Sequence, residues 1–516
     1  MLRGLMFAAL AAVVIAHAHV ITMNPAAPEA TTLAVVDGRV AYVGDDLAAA
    51  RKAAGPRAEL IDAGGHTLVP GFNDAHVHFG LSLTLGSEHG VDLPEAPKKA
   101  WIAAVKKASA AQPDGWLFVK TRNLPDGISR AADVDFVERP LFVVTSRGGL
   151  LNKRGLQLGK FTDEEAPHGF VRGRELAAAL DRLVKALPLK TLRDGALRFL
   201  AELARLGITS VQLIDELPDL FEGLRLKGQL TARIRMIPLG YRLETRLYEP
   251  SWSGAAPEWV RIDGVKYFHD DGARITRFEL QEIFDRAVAA NRRVLVHVLS
   301  SRALETLLSA LESMSKAAKR PDAPQLFRIE HADEVKPEQA RRLARLGLVV
   351  CSNPSMLPEW HTPGAFPMRT LSDAGVRTCI GTDWVGEHVP VRPLAPLLSL
   401  ALAVTHGGFG DKERLTAREA LEAYTVGSAA AEGMGARKGS LELGKLADLI
   451  VLSDDPLTVA PEKLPEIAVL LTMVGGKIVH RGGSFAEPPV HRPPPPTIGP
   501  QPEKRPATLG SPRLDR

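Results

Sequence analysis

The sequence is poor in cysteine and in net charge, and both absences narrow the class of protein. Only two cysteines, Cys351 and Cys379, occur in 516 residues, and each lies in an apolar segment. We therefore predict two buried free thiols rather than a disulfide. The formal net charge is only +4, and the Lys and Arg residues are scattered rather than clustered. No nucleic-acid partner is expected from this charge pattern, and a small-molecule partner is.

Two kinds of catalytic motif are also missing. The sequence has no G-x-S-x-G motif beside a histidine partner, which argues against a serine nucleophile, and buried cysteines argue against a thiol nucleophile. It has no glycine-rich loop of the kind that holds phosphates or dinucleotides. With 45% hydrophobic and 24% charged residues, the chain still has the composition of an ordinary globular protein.

The only apolar run that suggests targeting is at the start of the chain, from Leu5 to Ala16. It follows an early arginine and ends in Ala16-His17-Ala18, so residues 1–18 resemble a signal peptide with its cleavage site. The run is shorter than the roughly 20 residues of a membrane helix, so no stable membrane span is expected. A cleaved leader would make the protein secreted or periplasmic. The alternatives are a mis-assigned start codon or a buried first strand, and the protein would then be cytoplasmic.

Both ends of the chain are rich in short β segments. Residues 19–68 and 434–485 contain short Val, Ile and Leu runs separated by Gly turns, and Asp37-Gly38 joins two of them as a hairpin should. Neither segment is large enough to bury a core alone, so we predict that they pair as one small β-sandwich. The proline-rich residues 486–516 are predicted to be a disordered tail.

The central residues, 69–433, alternate short apolar runs with amphipathic helical patterns, and the region from about 80 to 195 interrupts this rhythm as an insertion. Eight strand-then-helix units predict an α/β protein with a (β/α)₈ TIM-type barrel. The first strand candidate ends near His76, and the other seven are GITSVQLID, RIRMIPLG, GVKYFHDD, RRVLVHVLS, FRIEHAD, LVVCSNP and VRTCIGTDW.

Potential metal ligands recur at the ends of these strand candidates. The pair in His76-Val77-His78 is a weak signal alone, because structural histidines are common. The intervals from Lys266 to His297 and from His297 to His331 each match one βα unit of about 30 residues. Residues at the carboxyl ends of barrel strands converge on one mouth, where barrel enzymes hold their active sites. The candidate ligands are His76, His78, Lys266, His297, His331 and Asp383.

A set of motifs spread over roughly residues 19–485 resembles the amidohydrolase superfamily, and within it the amidohydrolase family 3 subgroup that includes N-substituted formamide deformylases. The motifs are PGFNDAHVH, GITSVQ, GVKYFHDDG, RIEHAD, GTDW, LTAREALEAYTVGSAAA and GSLELGKLADLIVLSDDP, in that order. The resemblance implies His76 and His78 on the first strand, Lys266 as a carboxylated bridging lysine, His297 and His331 on the fifth and sixth strands, and Asp383 on the eighth.

These residue types suit one or two divalent metal ions per chain, with Zn²⁺ the first choice. A metal-bound water loses its proton near neutral pH, so the expected reaction is hydroxide attack on an amide or formamide carbonyl, with Asp383 moving the proton. Lys266 has an alternative role as a strand-end lysine that reaches solvent, which would leave a single metal. The sequence leaves a homo-oligomer open.

Other residues near these ligands are candidates for orienting them or for contacting substrate. His269 and Asp271 closely follow Lys266, Arg328 precedes the sixth-strand ligand, His361 lies on the loop after the seventh strand, and Trp384 follows Asp383. Each also has a structural interpretation. A solvated turn would explain the first two, and salt bridging would explain Arg328 and its neighbour Glu330. A surface loop would explain His361, and core packing would explain Trp384.

Two departures from the subgroup leave the substrate uncertain. The segment after RPLFVVT reads SRGGLLNKRGL, without the usual glycine-histidine pair, and Ser300-Ser301 replaces the usual glycine-aspartate after the fifth-strand histidine. The first hypothesis is a metal-dependent hydrolase of non-peptide C–N bonds. The alternatives are a ring aminohydrolase or cyclic amidase on the same barrel, and a non-catalytic ligand-binding protein on this scaffold.

Overall fold

The structure is a computed structural model that describes residues 12–84, 90–111, 115–145, 148–240, 256–270, 275–357, 365–386, 393–408 and 411–482. The predicted tail at 486–516 therefore lies outside the described residues. None of the helices within these ranges is long and apolar enough to cross a membrane.

Strands and helices alternate through most of the described chain. The strands are β1 Val13–Ala16, β2 His19–Ile21, β3 Glu29–Ala30, β4 Thr32–Val36, β5 Arg39–Gly44, β6 Glu59–Asp62, β7 Thr67–Pro70, β8 Phe72–Val77, β9 Gly90–Asp92, β10 Leu117–Lys120, β11 Leu141–Thr145, β12 Gly148–Leu151, β13 Phe170–Val171, β14 Ile208–Leu213, β15 Arg233–Met236, β16 Val260–Ile262, β17 Val265–Phe268, β18 Val294–Val298, β19 Phe327–His331, β20 Val349–Ser352, β21 Arg377–Ile380, β22 Leu449–Leu452, β23 Val469–Val474 and β24 Lys477–Arg481. The α-helices are α1 Leu47–Ala54, α2 Phe79–Ser82, α3 Lys98–Ala111, α4 Lys153–Leu158, α5 Gly173–Lys185, α6 Leu189–Arg205, α7 Pro218–Leu226, α8 Arg277–Ala290, α9 Ser301–Ala318, α10 Pro337–Arg345, α11 Met368–Asp373, α12 Pro396–Thr405, α13 Ala417–Glu422 and α14 Ser428–Ala431.

All eight predicted central strands are present, and together with the additional short strand β16 they form two parallel sheets. One sheet has the order β16-β15-β14-β8, and the other has the order β17-β18-β19-β20-β21. Two parallel bridges join the sheets: one lies between Leu239, which follows β15, and Lys266 of β17, and the other between Val77 of β8 and Trp384, which follows β21. The strands are buried on both faces, as expected where helices cover a parallel sheet. The core of the molecule is therefore a mixed α/β fold with all eight strand ends on one side.

Helices α8 and α9 begin at residues whose side chains cap them. The Thr276 hydroxyl accepts a hydrogen bond from the Glu279 N–H at the start of α8, and the Glu279 carboxylate accepts one from the Thr276 N–H. Ser300 caps α9 through the Ala303 N–H. The first serine that replaces the subgroup's glycine-aspartate thus starts a helix.

The two chain ends contribute to neighbouring β-sheets. The four-stranded sheet has the order β5-β4-β1-β6, and the six-stranded sheet has the order β24-β23-β22-β7-β2-β3. Ile15 and Leu33 of the first sheet share one hydrophobic cluster with Leu68 and Leu449 of the second. The predicted hairpin is present between β4 and β5, where Asp37 and Gly38 both have positive φ angles, of 48° and 76°.

The first described strand lies within the residues that resemble a signal peptide. Strand β1 pairs with β4 on one side and with β6 on the other, and its four residues are buried. Cleavage after Ala18 would remove this strand, so the interpretation of residues 1–18 as a leader conflicts with the fold at this point. Residues 1–11 lie outside the described residues, and export stays a prediction.

The predicted insertion contains a sheet of its own, in the order β13-β12-β11-β10-β9. Along β10 the side chains alternate between two cores. Leu117 packs in a cluster with Trp101 of α3, whereas Phe118 packs with Phe142 and Leu183 on the other side. Both faces of this sheet are therefore covered within the region between β8 and β14.

The two cysteines are buried and free, as predicted. They face each other on the adjacent parallel strands β20 and β21. Burial, and then a hydrogen bond with Cys379, raises the pKa of the Cys351 thiol well above its usual value. Neither thiol is exposed to solvent, which agrees with the sequence argument against a cysteine nucleophile.

Removing strand β1 should destabilise the fold. A chain that starts at residue 19 loses the buried Val13, Val14 and Ile15, each worth roughly 1.5–3 kcal/mol if fully buried. We expect this chain to aggregate or to melt more than about 10 °C below the full-length protein. A chain that starts at residue 12 should have the same melting temperature as the full-length protein. Thermal unfolding followed by circular dichroism measures the difference. Equal melting temperatures for the two truncations would contradict a structural role for β1.

Candidate metal centre

His76 and His78 lie at the end of β8 and face the same side, because residues two apart on a strand share a face. His76 is buried within the strand, and His78 follows its last residue. Their Nε2 atoms are 3.2 Å apart. The Asp383 Oδ1 atom lies 3.5 Å from the Nε2 of His76 and 3.1 Å from that of His78. Three donor atoms thus converge within reach of one divalent ion.

Backbone hydrogen bonds bring Asp383 to the two histidines. The Asp383 N–H donates to the His76 carbonyl over 2.8 Å, and the His78 N–H donates to the Trp384 carbonyl over 2.9 Å. Only glycine fits two residues before Asp383, because a Cβ on Gly381 would lie 2.6 Å from the Cβ of His76. Asp383 itself has a φ of 52°, a left-handed conformation that surrounding contacts must hold in place.

Asp74 also links the end of β8 to the segment that follows β21. Its Oδ1 accepts hydrogen bonds from the backbone N–H groups of Thr382 at 3.0 Å and His76 at 3.2 Å. The Tyr424 hydroxyl donates to its Oδ2 at 3.0 Å. Burial raises the pKa of Asp74 to about 6 despite these hydrogen bonds. The carboxylate therefore acts as a clamp between the first and eighth central strands.

His331 and His297 extend the cluster from the neighbouring strands. The ring centroids of His76 and His331 are 5.1 Å apart, and those of His331 and His297 are 4.6 Å apart. The buried Nδ1 of His331 has no hydrogen-bond partner among the described residues. Burial, and then the Lys266 charge, lowers the pKa of His76 to about 4, and burial lowers that of His331 to about 3. Both rings are therefore neutral at pH 7, the form that binds metals.

Lys266 is the least usual member of the cluster. It is 1% exposed, and its Nζ has no hydrogen-bond partner in the part of the chain that the structure describes. Burial lowers the pKa of its amine to about 8. Its charge also depresses the pKa values of His76, His297 and His331, so it lies among the ligand candidates rather than at the surface.

The structure places the secondary candidates in supporting positions. His269 is buried. Its ring Nδ1 accepts a hydrogen bond from the Ile275 backbone N–H at 3.2 Å, and its backbone N–H donates to the His297 carbonyl at 3.0 Å. Trp384 stacks on Phe199 at 5.2 Å, which agrees with core packing. Two further candidates, Asp271 and His361, lie outside the described residues.

Glu330, for which the sequence suggested only a salt bridge, also contacts the ligand cluster. Its Oε2 lies 2.6 Å from the Nδ1 of His76, and its Oε1 lies 2.5 Å from the Nε of Arg328. Burial raises the pKa of Glu330, but the charges of Arg328 and Lys266 outweigh this and hold it well below its usual range. The available signal was its place on β19, two residues from Arg328 on the same strand face.

The chain is similar in sequence and in fold to known proteins. The sequence profile of the amidohydrolase family matches residues 59–480. The chain belongs to this family. The resemblance in its motifs is thereby confirmed, and so is the expectation of an amidohydrolase enzyme that acts on C–N bonds. Membership implies a divalent metal and does not identify which one.

Several relatives span nearly all of this amidohydrolase. An N-substituted formamide deformylase from Arthrobacter pascens is 26% identical, with 90% of this chain and 97% of the relative covered. An imidazolonepropionase from Symbiobacterium thermophilum is 27% identical, with 82% and 83% covered. The fold is similar to a solved metal-dependent hydrolase from Pyrococcus horikoshii, which is 21% identical with a TM-score of 0.67 and 88% and 99% covered.

The described residues fit a divalent ion. Neutral imidazole nitrogens and a carboxylate oxygen are typical zinc donors, and His331 Nδ1 and Lys266 Nζ are buried polar atoms with no hydrogen-bond partner among the described residues. Residues His76, His78 and Asp383 would hold such an ion from the first and eighth strands.

Substitution of a ligand should remove bound metal. In His76→Ala and Asp383→Ala, the loss of one of three converging donors should lower bound metal per chain by about one ion or weaken its affinity by at least 10- to 100-fold. Mass spectrometry of metals in the dialysed protein measures this. The control is His17→Ala, since His17 is an exposed histidine paired with Asp62 in the small β region. Equal metal content in all three variants would mean that this cluster is not the metal centre.

Proposed function

We propose that this amidohydrolase hydrolyses the C–N bond of small amides or formamides with one or two divalent metal ions, Zn²⁺ being the first choice. The observation that carries the proposal is the convergence of His76, His78 and Asp383 within bonding distance of one ion, with His331 and His297 beside them. The deformylase relative supports the substrate class.

The proposal includes the architecture expected from the sequence. The two parallel bridges, from the segment after β15 to β17 and from β8 to the segment after β21, support closure of the two central sheets as one (β/α)₈ barrel. The hydrophobic cluster shared by the two outer sheets supports a small β-sandwich built from both chain ends. Closure would place the five strand-end ligand candidates and Lys266 around a single mouth.

The protein groups then have distinct tasks. His76, His78 and Asp383 would hold the divalent ion, which would supply Lewis acidity for the substrate carbonyl and for the attacking water. Asp383 accepts the proton of the attacking water and delivers it to the departing amine. Its Oδ1 lies beside both His76 and His78 as a metal donor, so the carboxyl group that takes the proton is held next to the metal position.

We propose that Lys266 carries a carboxylate in the active enzyme. An amine with a pKa near 8 is partly neutral at pH 7, and a neutral amine adds to CO₂ to give a carbamate and one released proton. The product would be an anionic oxygen ligand in place of a cation that has no lone pair to offer. The buried, unpartnered position of Nζ among the described residues supports this role.

The exposed side chain of Phe268 lies beside the ligand cluster and suggests which substituents the substrate carries. Phe268 is 39% exposed, its ring lies 5.2 Å from that of His297, and its centroid lies 5.8 Å from the Lys266 Nζ. An apolar substituent on the substrate amine would cover this ring and gain its burial. We therefore expect N-alkyl or N-aryl amides and formamides to be better substrates than unsubstituted ones.

A cyclic amide is the second candidate substrate. The imidazolonepropionase relative, matched over 82% of this chain, favours this alternative. Ring hydrolysis would use the same ligand cluster, so substrate assays rather than metal analysis decide between the two.

A substrate panel tests the proposed reaction. The metal-loaded enzyme should hydrolyse N-substituted amides or formamides, and His297→Ala should lower kcat/KM by roughly 100-fold or more, because a lost ligand disturbs both affinity and orientation. The panel includes lactams, ring-amino heterocycles and esters, with amine or ammonia release as the readout and His17→Ala as the control. Saturable binding without turnover on any substrate would favour a non-catalytic scaffold, and equal rates in the His297 variant would refute the assigned site.

Metal stoichiometry tests Lys266. If the lysine is a carboxylated bridge, the wild-type enzyme should hold two ions per chain and Lys266→Ala should hold at most one. Metal analysis at saturating zinc and bicarbonate measures the ratio. Lys438→Ala is the matched control, because Lys438 is also buried but pairs with Glu432 instead of the ligand cluster. One ion per chain in both the wild type and Lys266→Ala would remove the bridge from the mechanism.

A further inference from the structure

The Glu330 carboxylate contacts His76 at Nδ1, the ring nitrogen opposite the one that faces His78 and Asp383. Glu330 is fully buried on β19, and its Oε2 lies 2.6 Å from the Nδ1 of His76. An ionised carboxylate can only accept a hydrogen bond, so the proton of the neutral imidazole must sit on Nδ1. The Nε2 lone pair is then left facing His78 and Asp383, where the other donors converge.

Glu330 is itself held by a chain of buried polar groups. The Nε and Nη2 atoms of Arg328 donate to its two oxygens at 2.5 and 3.0 Å. Arg328 also donates from Nη1 to the Gln212 side chain at 2.5 Å and from Nη2 to the Ala75 carbonyl at 3.0 Å. Arg235 donates to the same Gln212 oxygen at 2.9 Å. Four central strands thus contribute to holding one carboxylate against His76.

If the pair of Arg328 and Glu330 were only structural, Glu330 would not need its contact with His76. Arg328 already supplies Glu330 with a two-point partner, and the second hydrogen bond of Oε2 is directed at a ring that is otherwise part of the ligand cluster. The opposite tautomer of His76 would place a nitrogen lone pair against the carboxylate and a proton where the metal would bind. Both arrangements are unfavourable, so the contact selects one tautomer.

We propose that Glu330 is a positioning residue that fixes the Nδ1–H tautomer and ring orientation of His76, and so sets the affinity of the centre for its metal. Arg328 and Gln212 act behind it by holding the carboxylate in place. The inference rests on the metal site of the proposed function, but the tautomer itself can be tested on the metal-free protein.

The first test compares two buried carboxylates. Glu330→Gln should weaken zinc binding by about 10- to 100-fold in a competition titration with a chromogenic chelator. The matched variant is Glu432→Gln, since Glu432 is buried and paired with Arg261 and Lys438 but hydrogen-bonds to Asn73 rather than to a ligand. It should lose thermal stability while its zinc affinity stays within about twofold of the wild type. Unchanged zinc affinity in a folded Glu330→Gln protein would overturn the proposal.

A second measurement keeps the proposal testable if Glu330→Gln does not fold. In wild-type protein with ¹⁵N-labelled histidine, the ring nitrogens of His76 should show a protonated Nδ1 and an unprotonated Nε2 without metal, assigned by the signals missing in His76→Gln. A protonated Nε2 would overturn the proposal. If the wild type binds no zinc, the proposed function fails, while this spectrum still decides the role of Glu330.

Discussion

The candidate site depends on the backbone pairing between the end of β8 and the segment that follows β21. These are the first and last central strands, separated by some three hundred residues of chain. Two hydrogen bonds, from Asp383 to His76 and from His78 to Trp384, set the distance between the carboxylate and the two imidazoles. The missing side chain of Gly381 permits this approach. Without this pairing the donors would lie on separate elements with no common position for an ion.

Burial determines the chemical state of the groups that meet there. Desolvation disfavours charge, so it keeps His76 and His331 neutral and lowers the pKa of the Lys266 amine. The same desolvation would neutralise Glu330, but the adjacent Arg328 and Lys266 charges and then the hydrogen bond with His76 hold its pKa well below the usual range. A low-dielectric pocket therefore supplies neutral metal donors and one fixed anion behind them. The arrangement has a cost in folding free energy, since each buried charge must keep its partner.

The sequence predicted the central strands well because their signal is local. Short apolar runs, capping residues and intervals of about one βα unit can be read within a few tens of residues, as the Thr276 and Ser300 caps illustrate. The same local rules do not decide between two interpretations of the N-terminus, and export stays a prediction. An apolar run with small residues fits both a leader and the buried strand β1, and only its pairing with β4 and β6 separates the two.

The sequence by itself determined the fold class, the family and the six candidate ligands, because residues at strand ends carry a regular spacing and recognisable motifs. Only the tertiary structure revealed that the Glu330 carboxylate contacts the Nδ1 atom of His76. It also showed that Asp74 on β8 accepts a hydrogen bond from Thr382 after β21, and that Trp384 packs on Phe199. These contacts join residues far apart in the chain. No local pattern encodes them, since the partner of a buried polar group is chosen by which strands become neighbours.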